Sequence, residues 1–174
     1  MIRLISACCL LLLVACGTIR EPAAGESAGG TAAIADPAAD EAAIRTLGAT
    51  WFTAYDAGNA DSVAALYAED GVISAPGAAP ARGAAAIREF LAKDIAGAKE
   101  GGLSLTPATT SEIGVSGDLG WEWNTFKVTD KSGKTVDTGK YITVFGRKDG
   151  KWRILRDIWN SDNPPAPAAA TAAN

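Results

Sequence analysis

The sequence predicts an α+β domain: three helices first, then an antiparallel sheet. Three observations carry this expectation. Apolar residues recur at helical spacing from Ile44 to Tyr55 and again from Ile87 to Leu91. After Gly101 the period changes to two and holds as far as Trp159. Turn formers, Asp130-Lys131-Ser132-Gly133 and Lys148-Asp149-Gly150-Lys151, separate the later apolar runs as in a meander.

Each element has its own signals. Asp36 before Pro37 is a favourable N-cap and first-turn pair. Ile44, Leu47, Trp51 and Tyr55 then line one helical face, and Gly58 offers a left-handed stop. Asp61 is expected to cap a short second helix that turns Val63, Leu66 and Tyr67 inward, with Asp70 shaping the turn after it. A third helix is predicted from about Gly83 to Ile95, with Ile87, Phe90 and Leu91 inward and Gly97 ending it. Arg88 and Glu89 read as its solvated face. Strands are expected at Leu103 to Leu105, Ile113 to Val115, Trp121 to Val128, Lys140 to Arg147 and Trp152 to Trp159.

The chain ends have a different character. Arg3 precedes an apolar run, Leu4 to Val14, that is too short to span a bilayer as a mature helix. It closes in Leu13-Val14-Ala15-Cys16, which resembles a bacterial lipobox. That resemblance implies a signal peptide at 1–15, cleavage before Cys16 and acylation of that cysteine. Acyl chains contribute roughly 0.8 kcal/mol per buried CH₂, so several of them hold a protein on a bilayer. Gly17 stands where an inner-membrane retention signal would show Asp, so the periplasmic face of the outer membrane is the expected address. Residues 16–38 read as a flexible tether and 164–174 as a disordered Pro/Ala tail. Residues 39–163 remain as one domain with enough chain to bury a core.

Composition removes several chemistries. The three cysteines are Cys8, Cys9 and Cys16, so the mature chain keeps only the acylated one and forms no internal disulfide. There is no histidine, which excludes Ser-His-Asp arrangements and the common zinc sites. No metal or cofactor is expected. Sixteen basic side chains against 20 acidic ones give a formal charge of −4, with the basic residues scattered, and no nucleic-acid footprint.

The stretch from Trp51 to Leu91 carries a more specific pattern. Asp56-Ala57-Gly58-Asn59-Ala60-Asp61 leads to Leu66-Tyr67-Ala68-Glu69-Asp70-Gly71-Val72 and Pro76-Gly77. Arg82-Gly83 then opens Ala86-Ile87-Arg88-Glu89-Phe90-Leu91. From about residue 40 to 162 the chain resembles the nuclear transport factor 2-like superfamily, the conical α+β fold of SnoaL-like cyclases and ketosteroid isomerases. The resemblance implies three helices packed on a curved antiparallel sheet that forms a cone.

It also implies what the cone has lost. The isomerases' oxyanion-holding tyrosine falls on Trp51, their aspartate base on Ala75, and their second aspartate on or next to Ile142. An alanine accepts no proton, so steroid-type isomerisation with the usual residues is not expected. The same alignment turns Trp51, Tyr55, Glu122, Asn124, Val144, Asp157 and Trp159 into the cone. A register shift of one residue would exchange the faces. Glu122 and Asp157 are then candidate acid/base carboxylates, with at least one pKa raised by desolvation and repulsion. The plainer alternatives are a solvated Glu122 at an open mouth and an Asp157 paired with Arg156 or Arg82.

The strands keep large apolar residues on both faces, whereas a half-solvated sheet should alternate. In this superfamily the convex face often pairs with a second subunit. A homodimer through Trp121, Trp123, Tyr141 and Ile154 is therefore expected, unless tether or tail covers that face. Function stays open between a lipid-anchored periplasmic module binding a small, largely apolar molecule, an enzyme (isomerase, dehydratase or cyclase type) using Glu122 and Asp157, and an envelope scaffold.

Overall fold

The computed structural model describes residues 36–164, which form one α+β domain. The expected signal peptide, the lipobox-like segment with Cys16 and nearly all of the expected tether and tail lie outside the described residues. Ten elements follow one another: α1 Pro37–Asp56, α2 Ala60–Ala64, β1 Tyr67–Ser74, β2 Ala81–Arg82 and α3 Gly83–Gly101, then β3 Ser104–Pro107, β4 Glu112–Ser116, β5 Leu119–Thr129, β6 Thr135–Lys148 and β7 Lys151–Ser161.

Helix ends follow local chemistry. The Asp36 carboxylate accepts from the backbone N–H groups of Ala38 and Ala39 at 3.1 and 3.2 Å, with Pro37 in the first turn. Residues 37 and 38 are therefore helix rather than tether. Asn59, not Asp61, caps α2 by accepting from Ser62 N–H at 3.0 Å, while Asp61 pairs with Arg88 of α3. Helix α3 runs through Gly97 and ends at Gly101, because Gly102 takes the left-handed conformation (φ 63°) and its N–H closes on Ala98 and Lys99 carbonyls. A helical glycine is tolerated; only a left-handed one stops the helix.

The sheet is mixed rather than wholly antiparallel. Its strand order is β2-β1-β7-β6-β5-β3, with β4 also on β5, and β1 lies parallel to β7. Strand β1 is the element the helical spacing concealed. Tyr67 begins it instead of closing α2, and Asp70 lies within it on the exposed side. Strands β5, β6 and β7 form the expected meander. The β6–β7 turn has both Asp149 (φ 52°) and Gly150 (φ 72°) in the left-handed region, as a tight hairpin requires.

Packing gives the sheet two unlike faces. On the concave face Ile44 of α1, Val63 of α2, and Ile87 and Leu91 of α3 meet Ile73 of β1 and Phe145 of β6, all essentially fully buried. Each such side chain contributes on the order of 1.5–3 kcal/mol through burial. The inward residues stack in rows across β5, β6 and β7. Gly120, Phe145 and Ile154 make the floor; Glu122, Thr143 and Asp157 come next; Asn124, Tyr141 and Trp159 lie above; Phe126, Gly139 and Ser161 reach the rim.

An irregularity in β7 decides which residues join those rows. Phe145 pairs with Ile154 but Val144 pairs with Arg156, so Leu155 is an extra, unpaired residue. Trp152 and Ile154 on one side of it, and Asp157 and Trp159 on the other, consequently share the concave face. Simple alternation would have opposed them. Ile154 thus belongs to the core, 2 % exposed, and not to a convex dimer surface. Tyr141, opposite Asn124, also points inward. Val144, opposite Trp121, stands on the convex face and not in the cone. That face presents Trp121, Trp123, Ile142 and Ile158 at 40, 39, 40 and 48 % exposure.

Candidate functional site

The helices close over the concave face only in part, leaving a cavity of about 630 Å³. Its aromatic wall begins on α1, where Trp51 and Tyr55, one helical turn apart, stack with ring centroids 5.1 Å apart and planes at 12°. Phe52 meets Trp51 edge-on and leans toward Tyr141. Phe90 of α3 faces Trp159 of β7 across 5.9 Å. Leu103, Leu105, Phe126 and Val128 line the side toward the rim.

Two carboxyl groups lie in the row above the floor. Asp157 is 8 % exposed, yet among the described residues no arginine reaches it. Its Oδ2 accepts from the Tyr67 hydroxyl at 2.7 Å and its Oδ1 from the Thr143 hydroxyl at 3.1 Å. Tyr67 is itself fixed by Trp51, whose Nε1–H donates to the phenol oxygen at 3.0 Å. Burial pushes the Asp157 carboxyl above the ordinary carboxylate range, while the two hydroxyls pull it back. Burial, with the Asp157 charge and hydrogen bond adding to it, raises the Tyr67 phenol well above its usual value.

Glu122 is 5 % exposed, so it is not a solvated group at an open mouth. Burial raises its carboxyl as well; hydrogen bonds from Ser111 and Tyr141 and the Arg45 charge oppose the rise, and the Asp157 charge adds to it. The Tyr141 hydroxyl lies 3.3 Å from Glu122 Oε1. Gly48 makes room for this carboxylate: a methyl group there would sit 2.9 Å from Oε2. Glu122 and Asp157 both face Thr143 across one strand on either side, which separates their Cα atoms by roughly 10 Å.

Five of the seven residues expected in the cone line it: Trp51, Tyr55, Glu122, Asp157 and Trp159. Asn124 is buried in the wall instead, its Nδ2 donating to the Ala108 carbonyl at 3.1 Å. Val144 is outside, as described. Tyr67, Thr143 and Tyr141 were missed as site residues. Tyr67 belongs to β1 rather than to the short helix its spacing predicts, and β6 pairs with β5 one residue away from the expected register, so that Thr143 and not Val144 joins Glu122. A buried tyrosine seeks a partner for its hydroxyl, and Tyr67 and Tyr141 each find a carboxylate of the site, Asp157 and Glu122. Tyr55 also has such a partner: its hydroxyl donates to Asp94 at 2.7 Å. Among the described residues no group of three or more carboxylates and cysteines is placed to hold a metal ion.

A family model described as the SnoaL-like domain matches residues 36–156. The chain belongs to the SnoaL-like domain family. Solved structures agree with that fold. A nuclear transport factor 2-like protein with a cystatin-like fold from Novosphingobium aromaticivorans is 25 % identical, with a TM-score of 0.64 over 70 % of this chain and 81 % of that one. One of unknown function from Pseudomonas putida is 20 % identical, with a TM-score of 0.65 over 71 % and 87 %. A ketosteroid isomerase-like protein from Erwinia carotovora is 20 % identical, with a TM-score of 0.58 over 72 % and 98 %. No curated protein matches the sequence. Within this SnoaL-like domain the isomerase-aligned positions are spent differently. Trp51 and Ala75 line the cavity without acid/base capacity, and Ile142 lies on the convex face between inward Tyr141 and Thr143.

Proposed function

We propose that this SnoaL-like domain binds a small, largely apolar molecule in its cone. The observation that carries the reading is the 630 Å³ cavity with aromatic and aliphatic walls and few, deeply set polar groups. Native mass spectrometry of the protein purified under mild conditions tests it. A retained small-molecule mass, lost on Trp51→Ala or Trp159→Ala, is the expected outcome; a protein that retains nothing and takes up no apolar probe contradicts it.

A second reading is favoured by one specific observation: Glu122 and Asp157 both face the cavity with pKa values raised by burial. A carboxyl pair of this kind can pass a proton from one side of a substrate to the other, as isomerase, dehydratase or cyclase chemistry needs. A retained compound whose mass or chromatographic identity changes with the wild type, but not with Glu122→Gln or Asp157→Asn, would establish turnover.

The setting we propose is the cell envelope. The lipobox-like Leu13-Val14-Ala15-Cys16 supports acylation at Cys16 and residence on the periplasmic face of the outer membrane. Trp121, Trp123, Ile142 and Ile158 support a homodimer across the convex face, with Ile142 and Ile158 replacing Tyr141 and Ile154 in the surface first expected.

A further inference from the structure

Charge inside the cavity is one-sided. Asp94, Asp137, Glu122 and Asp157 all contribute to its wall, and among the described residues Lys93 is its single basic one. The Lys93 ammonium is drawn outward to Glu89 at 2.7 Å, its side chain 76 % exposed. Among the described residues none of the four acidic groups takes part in an ion pair. Arg45, whose charge reaches Glu122, donates instead to Ser111 at 3.0 Å and is not part of the wall.

Hydrogen-bond direction sharpens the point. An indole nitrogen only donates, so Trp51 Nε1–H must give its proton to the Tyr67 oxygen. The Tyr67 hydroxyl then donates to Asp157 Oδ2. The chain Trp51–Tyr67–Asp157 therefore terminates in an acceptor, and Thr143 donates to the second oxygen. Both Asp157 oxygens thus have a hydroxyl donor, but among the described residues its charge has no counter-charge beside it. Beside it stand the Trp51–Tyr55 stack and Trp159, whose ring faces attract cations.

We propose that the cavity takes an organic cation: a mostly apolar amine or quaternary ammonium whose charged nitrogen is held by Glu122 and Asp157 against the Trp51–Tyr55 wall. This names the ligand class for the binding reading above and rests on it. The apolar body of the ligand fills the space toward Phe126 and Leu105, and its nitrogen supplies the charge that the deep row lacks.

The test compares benzyltrimethylammonium with neopentylbenzene, its uncharged carbon isostere, titrated into the purified full chain. The indole N–H signals of Trp51 and Trp159 in two-dimensional NMR report occupancy. The cation is expected to bind at least about 10-fold more tightly, and this ratio is expected to collapse toward one in the Glu122→Gln, Asp157→Asn double variant. Equal or tighter binding of neopentylbenzene by the wild type overturns the cation assignment while leaving the apolar-ligand reading standing. A preference that persists in the double variant overturns the role of the two carboxylates. Perturbation by neither compound overturns the inference and the binding reading together. The wild-type ratio decides the first question even should the double variant fail to fold.

Discussion

Asp157 shows at the scale of one residue how this domain combines a buried charge with order around it. Two hydroxyls satisfy its oxygens, yet burial still raises its pKa, as it does that of Glu122. The folded state therefore holds protons that the unfolded chain has released, and stability is lost as pH climbs from about 4, the ordinary carboxyl range, through the raised values. Asp157→Asn removes the share of this loss that Asp157 carries. Its melting temperature relative to wild type is expected to rise between pH 4 and pH 8, and parallel melting curves across that range would contradict the assignment. Tyr67→Phe acts in the opposite sense on stability. It strips a donor from Asp157 and an acceptor from Trp51, so a loss of roughly 1–3 kcal/mol is expected from denaturant midpoints. The inward placement of Glu122 and Asp157 was legible through the family resemblance, which aligns both into the cone. That of Tyr67, Thr143 and Tyr141 was not, because it depends on the parallel pairing of β1 with β7 and on the β5–β6 register, which no single segment encodes.

The elements show where local signals suffice and where they fail. Asp36 with Pro37, and Asp149 with Gly150, acted as their chemistry requires, since a cap or a tight turn involves only adjacent residues. Gly97 and Gly102 look alike in sequence, but only Gly102 has positive φ. Helix α3 therefore makes a contrasting pair of predictions. Gly97→Ala, with open space around the new methyl group, is expected to stabilise by roughly 0.5–1 kcal/mol through helix propensity. Gly102→Ala is expected to destabilise by about 1 kcal/mol or more, because an L-residue pays for the left-handed conformation. Chemical denaturation of the two variants checks both signs, and the same sign for both would mean that the helix ends elsewhere. Strand β1 was hidden for the reverse reason. Its apolar spacing continued that of α2, and only pairing with β7, more than 80 residues away, makes it a strand.

At the scale of the whole molecule, the fold was legible and its purpose only partly so. Helix spacing, alternation and the Trp51–Leu91 pattern pointed to the SnoaL-like cone, whereas the cavity contents depend on side chains brought together from six elements. The convex face carries its own prediction: Trp121→Glu with Trp123→Glu should convert the proposed dimer to a monomer in light scattering, leaving the melting temperature of the fold nearly unchanged. The central claim is that the concave face buries two carboxyl groups inside an aromatic cavity able to hold a small molecule. Carboxyl-carbon NMR titration of Glu122 and Asp157, assigned with Glu122→Gln and Asp157→Asn, tests it most directly. The account predicts that both groups titrate above the ordinary carboxylate range and that both curves move when a molecule occupies the cone. Two ordinary carboxylate titrations, unmoved by any compound that the protein takes up, would contradict it.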